Sequence, residues 1–493
     1  MTRPDRALVD RRREPAPTGY DLRSACDAEG TRAREALALV AALLLSAAGC
    51  AAGAEAPPDA GGRARDGAVV DAGAVDASPR SDAGPDDAAM RDAEPSDAGM
   101  GDAGPGNPDA GYCTVVSTDL DTIADVPGAY GGMGSIAWDG HRWAVVWQIR
   151  TSSTPLRHDL WFGAMTASGS WIPASVHRIF ADADTRTFGE LAAGDGELGL
   201  SYVRGDENGV GPTSGIRFAR LDLDGYPIAG EGVPLSALHP PQLASSLAWS
   251  PTLRQWAVAF RGTEPLDDGH IQNHVYVTRL DASGTVIDTT DRLDALTTVS
   301  FQGRGAIVWT GDRFAVAFAD RGATPDTQVS VVELGPGDGS IERRIVVDVT
   351  ERASSVTLAS YGGHYGVAWQ ALTTSSYEAL FRTATVGGAP TGTTRRLGLE
   401  EEITSDVAVI GAASGFRVYY NRRNGSDTSV DLERFGLDGA PSGIAEPAFV
   451  GSPFPSAFPR AATGGCMDAV AWVDNRATTS IALHLEASPV PTP

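Results

Sequence analysis

A short apolar run that ends in an aromatic residue occurs seven times along the chain, in the form Phe314-Ala-Val-Ala-Phe318. The closing aromatics are separated by 55, 58, 58, 51, 51 and 52 residues; they are Trp147, Tyr202, Phe260, Phe318, Trp369, Tyr420 and Trp472. A fixed period near 50 residues is typical of repeat arrays, and the four-stranded blades of β-propellers fall in this range. Because each run is almost continuously apolar, it predicts a strand buried on both faces.

The other parts of each unit keep the same period. The strand before the run ends in a tight turn such as Asp139-Gly140, and a strand after it ends in a glycine turn. These turn glycines are Gly169, Gly225, Gly284, Gly339, Gly388 and Gly439. We therefore predict an all-β fold: a seven-bladed β-propeller of four-stranded antiparallel blades, with a β-solenoid as the alternative. The repeats are expected near residues 132–180, 187–236, 243–293, 300–350, 353–400, 403–450 and 457–486.

Residues 1–49 have the layout of a leader followed by a secretory signal. The apolar run Ala36–Leu45 is too short to span a bilayer, which requires about 20 residues. It is followed by Ser46-Ala-Ala-Gly-Cys50, which resembles the signal of bacterial surface lipoproteins, although Ala47 stands where that family usually has leucine. The resemblance implies that Cys50 is lipidated and that the protein reaches the outer membrane or cell surface. Ordinary secretion is the alternative, and the long polar leader suggests a translation start further along the chain.

Residues 50–112 are expected to form a disordered linker behind the lipidated cysteine. The triplet Asp-Ala-Gly occurs six times, and 13 acids against four arginines give this segment a charge of −9. Such a composition cannot bury enough apolar surface to offset the entropy of ordering the chain. We expect a spacer that holds the domain of residues 113–493 away from a membrane.

The ends of the repeat domain are predicted to share one blade. The last unit supplies three strands and is followed by a proline-rich tail that cannot continue a sheet. Residues 113–120 form an unassigned β-prone run, which we expect to act as the fourth, closing strand. Cys113 and Cys466 remain once Cys50 is lipidated and the leader is removed, so we also expect a disulfide between them.

Arginines follow the aromatic run in six of the seven units, one to four residues after its end. They are Arg150, Arg204, Arg261, Arg321, Arg422 and Arg476. The corresponding loops emerge on one face of a propeller, so a ring of guanidiniums around its mouth is one prediction. Such a ring would bind carboxylates, sulfates or phosphates through bidentate hydrogen bonds. The alternative is that each arginine pairs locally with acids such as Asp206, Asp320 or Asp474.

The remaining sequence motifs do not indicate a metal site or a catalytic site. The segment Asp267-Asp-Gly-His270-Ile-Gln-Asn-His274 brings acids and histidines together, but a solvated loop explains it better than a metal site. The segment Asp222-Leu-Asp224-Gly225 lacks the bidentate glutamate of a calcium loop and is interpreted as a turn. No Gly-x-Ser-x-Gly, His-Glu-x-x-His or phosphate loop is present. We expect no metal and no cofactor.

The net charge of −24 argues against nucleic acid as a partner. We therefore expect a monomeric, non-catalytic, membrane-tethered extracytoplasmic propeller that binds a ligand or a partner protein, such as a glycan or an envelope protein. Its only contact with the membrane would be the lipid anchor. One alternative is a polysaccharide-acting enzyme, a glycoside hydrolase or lyase with carboxylates at the central channel. A structural envelope component is the other alternative.

Overall fold

The computed structural model describes residues 132–487, apart from residues 154–155, 183, 206–214, 236–242, 266–270, 291, 294–304, 322–325, 374–375, 400–401, 425–426, 453–456, 465–466 and 475–479. The leader, the linker, the predicted closing strand, Cys50, Cys113, Cys466 and Arg476 lie outside the described residues. Within this part of the chain there is no helix with the length and apolar character that crossing a membrane requires.

The described residues form seven antiparallel sheets in chain order, and each sheet pairs only strands that follow one another in sequence. The strands of blades 1 to 3 are β1 (Gly132–Trp138), β2 (Arg142–Ser153), β3 (Leu156–Thr166), β4 (Trp171–Arg178), β5 (Thr185–Ala193), β6 (Leu198–Gly205), β7 (Gly215–Leu221), β8 (Val233–Pro234), β9 (Leu243–Ser250), β10 (Gln255–Pro265), β11 (Ile271–Asp281) and β12 (Val286–Thr289). The strands of blades 4 to 6 are β13 (Ala306–Trp309), β14 (Phe314–Arg321), β15 (Asp326–Leu334), β16 (Ile341–Glu351), β17 (Ala353–Tyr361), β18 (His364–Leu372), β19 (Tyr377–Thr385), β20 (Pro390–Arg396), β21 (Ile403–Ala412), β22 (Gly415–Asn424), β23 (Asp427–Phe435) and β24 (Glu446–Ser452). The last sheet holds β25 (Ala457–Gly464), β26 (Met467–Asp474) and β27 (Ser480–Ala487).

The β-propeller prediction is confirmed, with six four-stranded blades in the described residues where seven were predicted. Six sheets have four strands, whereas β25, β26 and β27 form a three-stranded sheet. The residues after β27 include Pro489, Pro491 and Pro493, which have no backbone N–H to donate to a sheet ladder. The first strand of the last sheet, β25, contacts both β21 and β1, so this sheet lies between blade 6 and blade 1.

The second strand of each blade is the buried centre of the fold. In β14, the five residues Phe314 to Phe318 are each at most 1% exposed. The side chains of this strand alternate between two clusters, one shared with blade 3 and one shared with blade 5. Burial on both sides explains why the run is apolar at every position rather than at every second one.

The meander gives the ring two distinct faces. Turns between the first and second strands and between the third and fourth strands lie on one face, which we call the turn face. The ends of the second strands, and the starts of the third strands and of the first strands, lie on the other face, which we call the crossover face.

Neighbouring blades overlap at the turn face. The glycine of a third-to-fourth-strand turn adopts a positive φ and lies against the third strand of the preceding blade. The contacts are Gly225 on Phe162, Gly284 on Arg220, Gly339 on Arg279 and Gly439 on Thr383. In blade 5 the positive φ, 67°, belongs to Gly387 rather than to the predicted Gly388.

Polar side chains stabilise these overlaps through hydrogen bonds. Arg142 donates to the carbonyl of Leu223 at 2.6 Å, and Arg220 donates to that of Ser283 at 3.1 Å. Between blades 4 and 5 the side chain is the acceptor instead of the donor: the carboxylate of Glu333 accepts a hydrogen bond from the backbone N–H of Gly387 at 2.6 Å. Blades 1, 2 and 4 therefore bind the turn of the following blade through its backbone groups, which the sequence pattern did not indicate.

Candidate functional site on the crossover face

The innermost strands are irregular where they begin, at the crossover face. Six of the seven first strands, all except β13, carry a shift of pairing register near this end. Three of these bulges contain a non-glycine residue with positive φ: Phe188 at 55°, Ser355 at 49° and Asp406 at 41°. Such bulges and left-handed residues are costly and recur next to functional sites. They mark the mouth of the ring on this face.

Two of the predicted arginines lie beside these bulges in nearly the same setting. Arg204 on β6 pairs with Arg186, next to the bulge of β5, and Arg422 on β22 pairs with Thr404, next to the bulge of β21. Both arginines come two residues after the repeat aromatic and therefore share its side of the blade.

Arg204 belongs to a charged cluster in blade 2. Its Nε lies 2.9 Å from Asp184 Oδ2, and its Nη1 lies 2.8 Å from Glu231 Oε2. Arg186, whose side chain is only 2% exposed, pairs with Asp182 and lies 3.4 Å from Glu231. The hydrogen bond from Arg186 is the main cause that lowers the pKa of Asp182 to about 2.

The three carboxylates of this cluster offer oxygens within 4.8 Å of one another, a spacing that suits a metal ion. The same oxygens, however, already accept hydrogen bonds from Arg186 and Arg204. The guanidiniums of Arg186 and Arg204 would repel a cation placed between these carboxylates. The donor set therefore favours an ion-pair network over a metal centre.

Arg422 holds a corresponding cluster in blade 6. Its Nη1 lies 3.0 Å from Glu402 Oε1, and its Nε lies 2.8 Å from Asp431 Oδ2. Burial raises the pKa of Asp431, and burial also raises the pKa of Tyr420. The hydroxyl of Tyr420 donates to Glu433 at 2.8 Å. One cation therefore faces two buried carboxylates, with a third carboxylate bound to the tyrosine.

This cluster fixes the connection from blade 5 to blade 6. The carboxylate of Glu433 accepts from the backbone N–H of Gly398 at 2.9 Å, and that of Glu402 accepts from Leu399 at 3.0 Å. Ala379 donates to the hydroxyl of Thr404 at 2.7 Å. The segment is thus tied to both blades by hydrogen bonds.

The other predicted arginines do not join this arrangement. Arg150 comes three residues after its aromatic and Arg261 one residue after, so both lie on the opposite side of their strands from that aromatic. Burial lowers the pKa of Arg261. Arg321 ends β14, and nothing is described of its side chain. The four arginines with described side chains therefore do not share one side of their blades.

The predicted histidine segment is only partly described. Asp267 and His270 lie outside the described residues. His274 lies within β11 rather than in a loop, is 1% exposed, and has its Nε2 3.4 Å from Arg292 Nη1. Asp222 and Gly225 form the predicted turn, in which the Asp222 carboxylate accepts from the N–H of Tyr226 at 2.8 Å.

Three exposed apolar side chains lie where blade 5 passes into blade 6 on the crossover face. Tyr377 is 44% exposed, Leu399 59% and Ile403 38%. Each lies within two residues of the junction in which Ala379 bonds to both Leu397 and Thr404. This patch was not predicted from the sequence, although an apolar residue inside a polar connection, as in Gly398-Leu-Glu400, is a usable signal.

Comparison with known proteins assigns the chain to no family. No known protein family's sequence profile matches the chain, and no curated protein matches it. Among solved structures, it is similar to a protein of unknown function from Dyadobacter fermentans, at 13% identity and a TM-score of 0.46, over 62% of this chain and 96% of that one. It is also similar to a puromycin hydrolase at 12% identity and a TM-score of 0.48, over 74% of this chain and 55% of that one. A polysaccharide lyase, Uly1, matches at 8% identity and a TM-score of 0.44, over 74% and 90% of the two chains.

Proposed function

We propose that this chain is a non-catalytic binding protein whose crossover face at blades 5 and 6 receives a partner protein. The observation that carries the proposal is the apolar patch of Tyr377, Leu399 and Ile403, which are 44%, 59% and 38% exposed at the crossover face. Exposed apolar groups with a polar rim are typical of protein-binding surfaces, and aromatic residues are enriched at their centres.

The charged cluster behind the patch supports this proposal. Arg422 is held by two carboxylates, and the connecting segment is bound to Glu402 and Glu433 through its backbone. A segment held in this way needs little further ordering on binding, which reduces the entropic cost of association. In this proposal Arg422, and Arg204 in blade 2, act as supports of the face, since their charges are already balanced by carboxylates.

The proposal extends to the cellular setting. A lipid on Cys50 and an extended acidic spacer over residues 51–112 would hold the domain outside the cytoplasm, within reach of envelope proteins. Expression of the full chain in a Gram-negative host, followed by mass spectrometry of the mature N-terminal peptide, tests this part. An unmodified Cys50, or cleavage at another position, would exclude the anchor.

We further propose that the ring has seven units and that the last is completed by the N-terminal segment. The position of the last sheet between blades 6 and 1 supports this reading, because that is where a seventh blade belongs.

The binding proposal is tested with the full chain and its own envelope extract. Tyr377, Leu399 and Ile403 are replaced together by serine, and the captured proteins are compared with those of the unchanged chain. A matched control replaces Ile287, Ile341 and Ile444, which are 45%, 46% and 86% exposed on or beside outer strands. We expect the first variant, and not the control, to lose a specific partner. Equal capture by both variants would refute the assignment of the face.

One observation favours the enzymatic alternative. Asp431 has a pKa raised by burial and lies beside Glu402 and Glu433, as a general acid and its partners would. Its exposure of only 4% speaks against contact with a polymer. Incubation of the full chain and of an Asp431→Asn variant with polysaccharides decides: cleavage that the variant loses would establish the enzyme.

A further inference from the structure

A cavity of about 260 Å³ opens on the turn face between blades 2 and 3. It lies on the opposite face of the ring from the patch of Tyr377, Leu399 and Ile403. Its lining comes from the turns of both blades: Asp195, Glu197, Arg220, Trp249, Arg254 and Ser283. Pockets for drug-sized ligands span roughly 300–1,000 Å³, so this cavity suits a single small ring.

The charges around the cavity balance. Arg220 binds Glu197 through two hydrogen bonds, of 2.7 and 2.5 Å. Arg254 lies 3.0 Å from Asp195. Two carboxylates thus face two guanidiniums, and neither an anion nor a cation gains from a net field in the cavity.

The lining combines an aromatic surface with planar hydrogen-bonding groups. The indole of Trp249 packs against that of Trp256, with ring centroids 4.5 Å apart, and this contact holds it in place. Trp256 itself is fully buried, so its position is set by the core of the two blades. Carboxylates and guanidiniums accept and donate paired hydrogen bonds in a plane.

Arg254 adds a sign of local strain. Its φ of 52° is in the left-handed region, which a non-glycine residue occupies at a cost of about 1 kcal/mol or more. Its side chain is 65% exposed, and so is that of Asp195. An exposed ion pair contributes only about 0–1 kcal/mol, which is too little to account for the strain.

We propose that this cavity binds a neutral sugar ring, such as the terminal pyranose of a glycan. A pyranose has an apolar C–H face that packs on an indole, and adjacent hydroxyls that bond to the carboxylates and guanidiniums around it. The balance of charge excludes a preference for uronic acids or amino sugars. The site is separate from the partner-binding face, so either proposal can fail without the other.

The probes are the methyl glycosides of glucose, galactose and mannose, with glucuronate and glucosamine as charged analogues. Binding to the full chain is measured by saturation-transfer NMR and by tryptophan fluorescence. We expect at least one neutral glycoside to bind, and both charged analogues to bind more weakly. The absence of binding by every neutral glycoside, or tighter binding of a charged analogue, would overturn the proposal.

Three variants locate the site. Trp249→Phe and Glu197→Gln should each weaken binding at least tenfold, which corresponds to about 1.4 kcal/mol. Arg254→Gly removes a cation of the rim while relieving the positive φ, so it should weaken binding without loss of stability. Trp309→Phe, at the same repeat position in blade 4, is the matched control and should bind as the unchanged chain does. Equal affinity of all four variants would place the ligand elsewhere and refute the assignment.

Discussion

Arg417 of β22 and Asp468 of β26 form an ion pair buried between blade 6 and the last sheet. Their side chains are 5% and 0% exposed. Around them lie apolar residues of both sheets, including Tyr419 and Val470. The junction that attaches the last sheet to the four-stranded blades thus contains a buried charge pair.

Arg417→Met is expected to destabilise the fold by about 3–5 kcal/mol, because it leaves Asp468 buried without its guanidinium. Arg417→Met combined with Asp468→Leu should recover much of this loss. Urea unfolding measures both. Arg434→Met, in the exposed pair with Glu446, is the control and should cost less than about 1 kcal/mol. A loss for Arg417→Met as small as that of the control would contradict the prediction.

Gly225→Ala tests the overlap of blade 2 on blade 1. Gly225 has a φ of 86°, and an added Cβ would lie 2.3 Å from Cγ of Phe162. Gly140 also has a positive φ, 102°, but an added Cβ there meets nothing within 4 Å. We expect a cost of about 1–2 kcal/mol for Gly140→Ala and about 1–3 kcal/mol more for Gly225→Ala. Thermal unfolding of the two variants compares them, and equal losses would show that the contact with Phe162 is unimportant.

The pH dependence of stability should include a term from Asp182. Its pKa falls from 3.8 to about 2 in the folded chain, chiefly through the hydrogen bond from Arg186. A lowered carboxyl pKa stabilises the fold above the unfolded value and loses this effect as the pH falls through the folded one. Asp182→Asn should therefore flatten the fall in the urea midpoint between about pH 4 and pH 2. An unchanged slope would show that the pair does not persist in solution.

Closure of the ring is tested by its two ends. Deletion of residues 113–120 should lower the melting temperature, because β27 would lose its expected neighbour and expose an edge. Non-reducing peptide mapping should find Cys113 joined to Cys466. Free thiols at both positions would exclude the bond, and an unchanged melting temperature after the deletion would exclude the strand.

The fold was largely predictable because its signals are local. A strand buried on both sides must be apolar throughout, as Phe314–Phe318 is, and a turn with positive φ favours glycine. The number of four-stranded blades was not predictable in the same way, since it depends on how the chain ends meet. The positive φ at Gly387, where Gly388 was predicted as the turn glycine, shows the limit of the local signal, because either glycine satisfies the same sequence pattern.

The arginines show why the candidate site was harder to predict from the sequence than the fold. Their distance from the repeat aromatic was visible, but the side of the strand depends on whether that distance is odd or even. Their partners come from other segments: Asp184 precedes Arg204 by 20 residues and Glu231 follows it by 27. No short pattern in the sequence joins such residues. The hydrogen bond from Arg220 to the carbonyl of Ser283 was not predicted for the same reason.

The described third-to-fourth-strand turns pack on the preceding blade and not on the following one, so the contacts between blades run in one direction around the ring. The contact between a turn glycine and the third strand of the preceding blade occurs at four of the five junctions between blade 1 and blade 6. Two neighbours can therefore be parted and a copied unit placed between them without either having to change its surface. A chain built in this way can lengthen by duplication of whole units, and only the junction at which its two ends meet has to be solved anew.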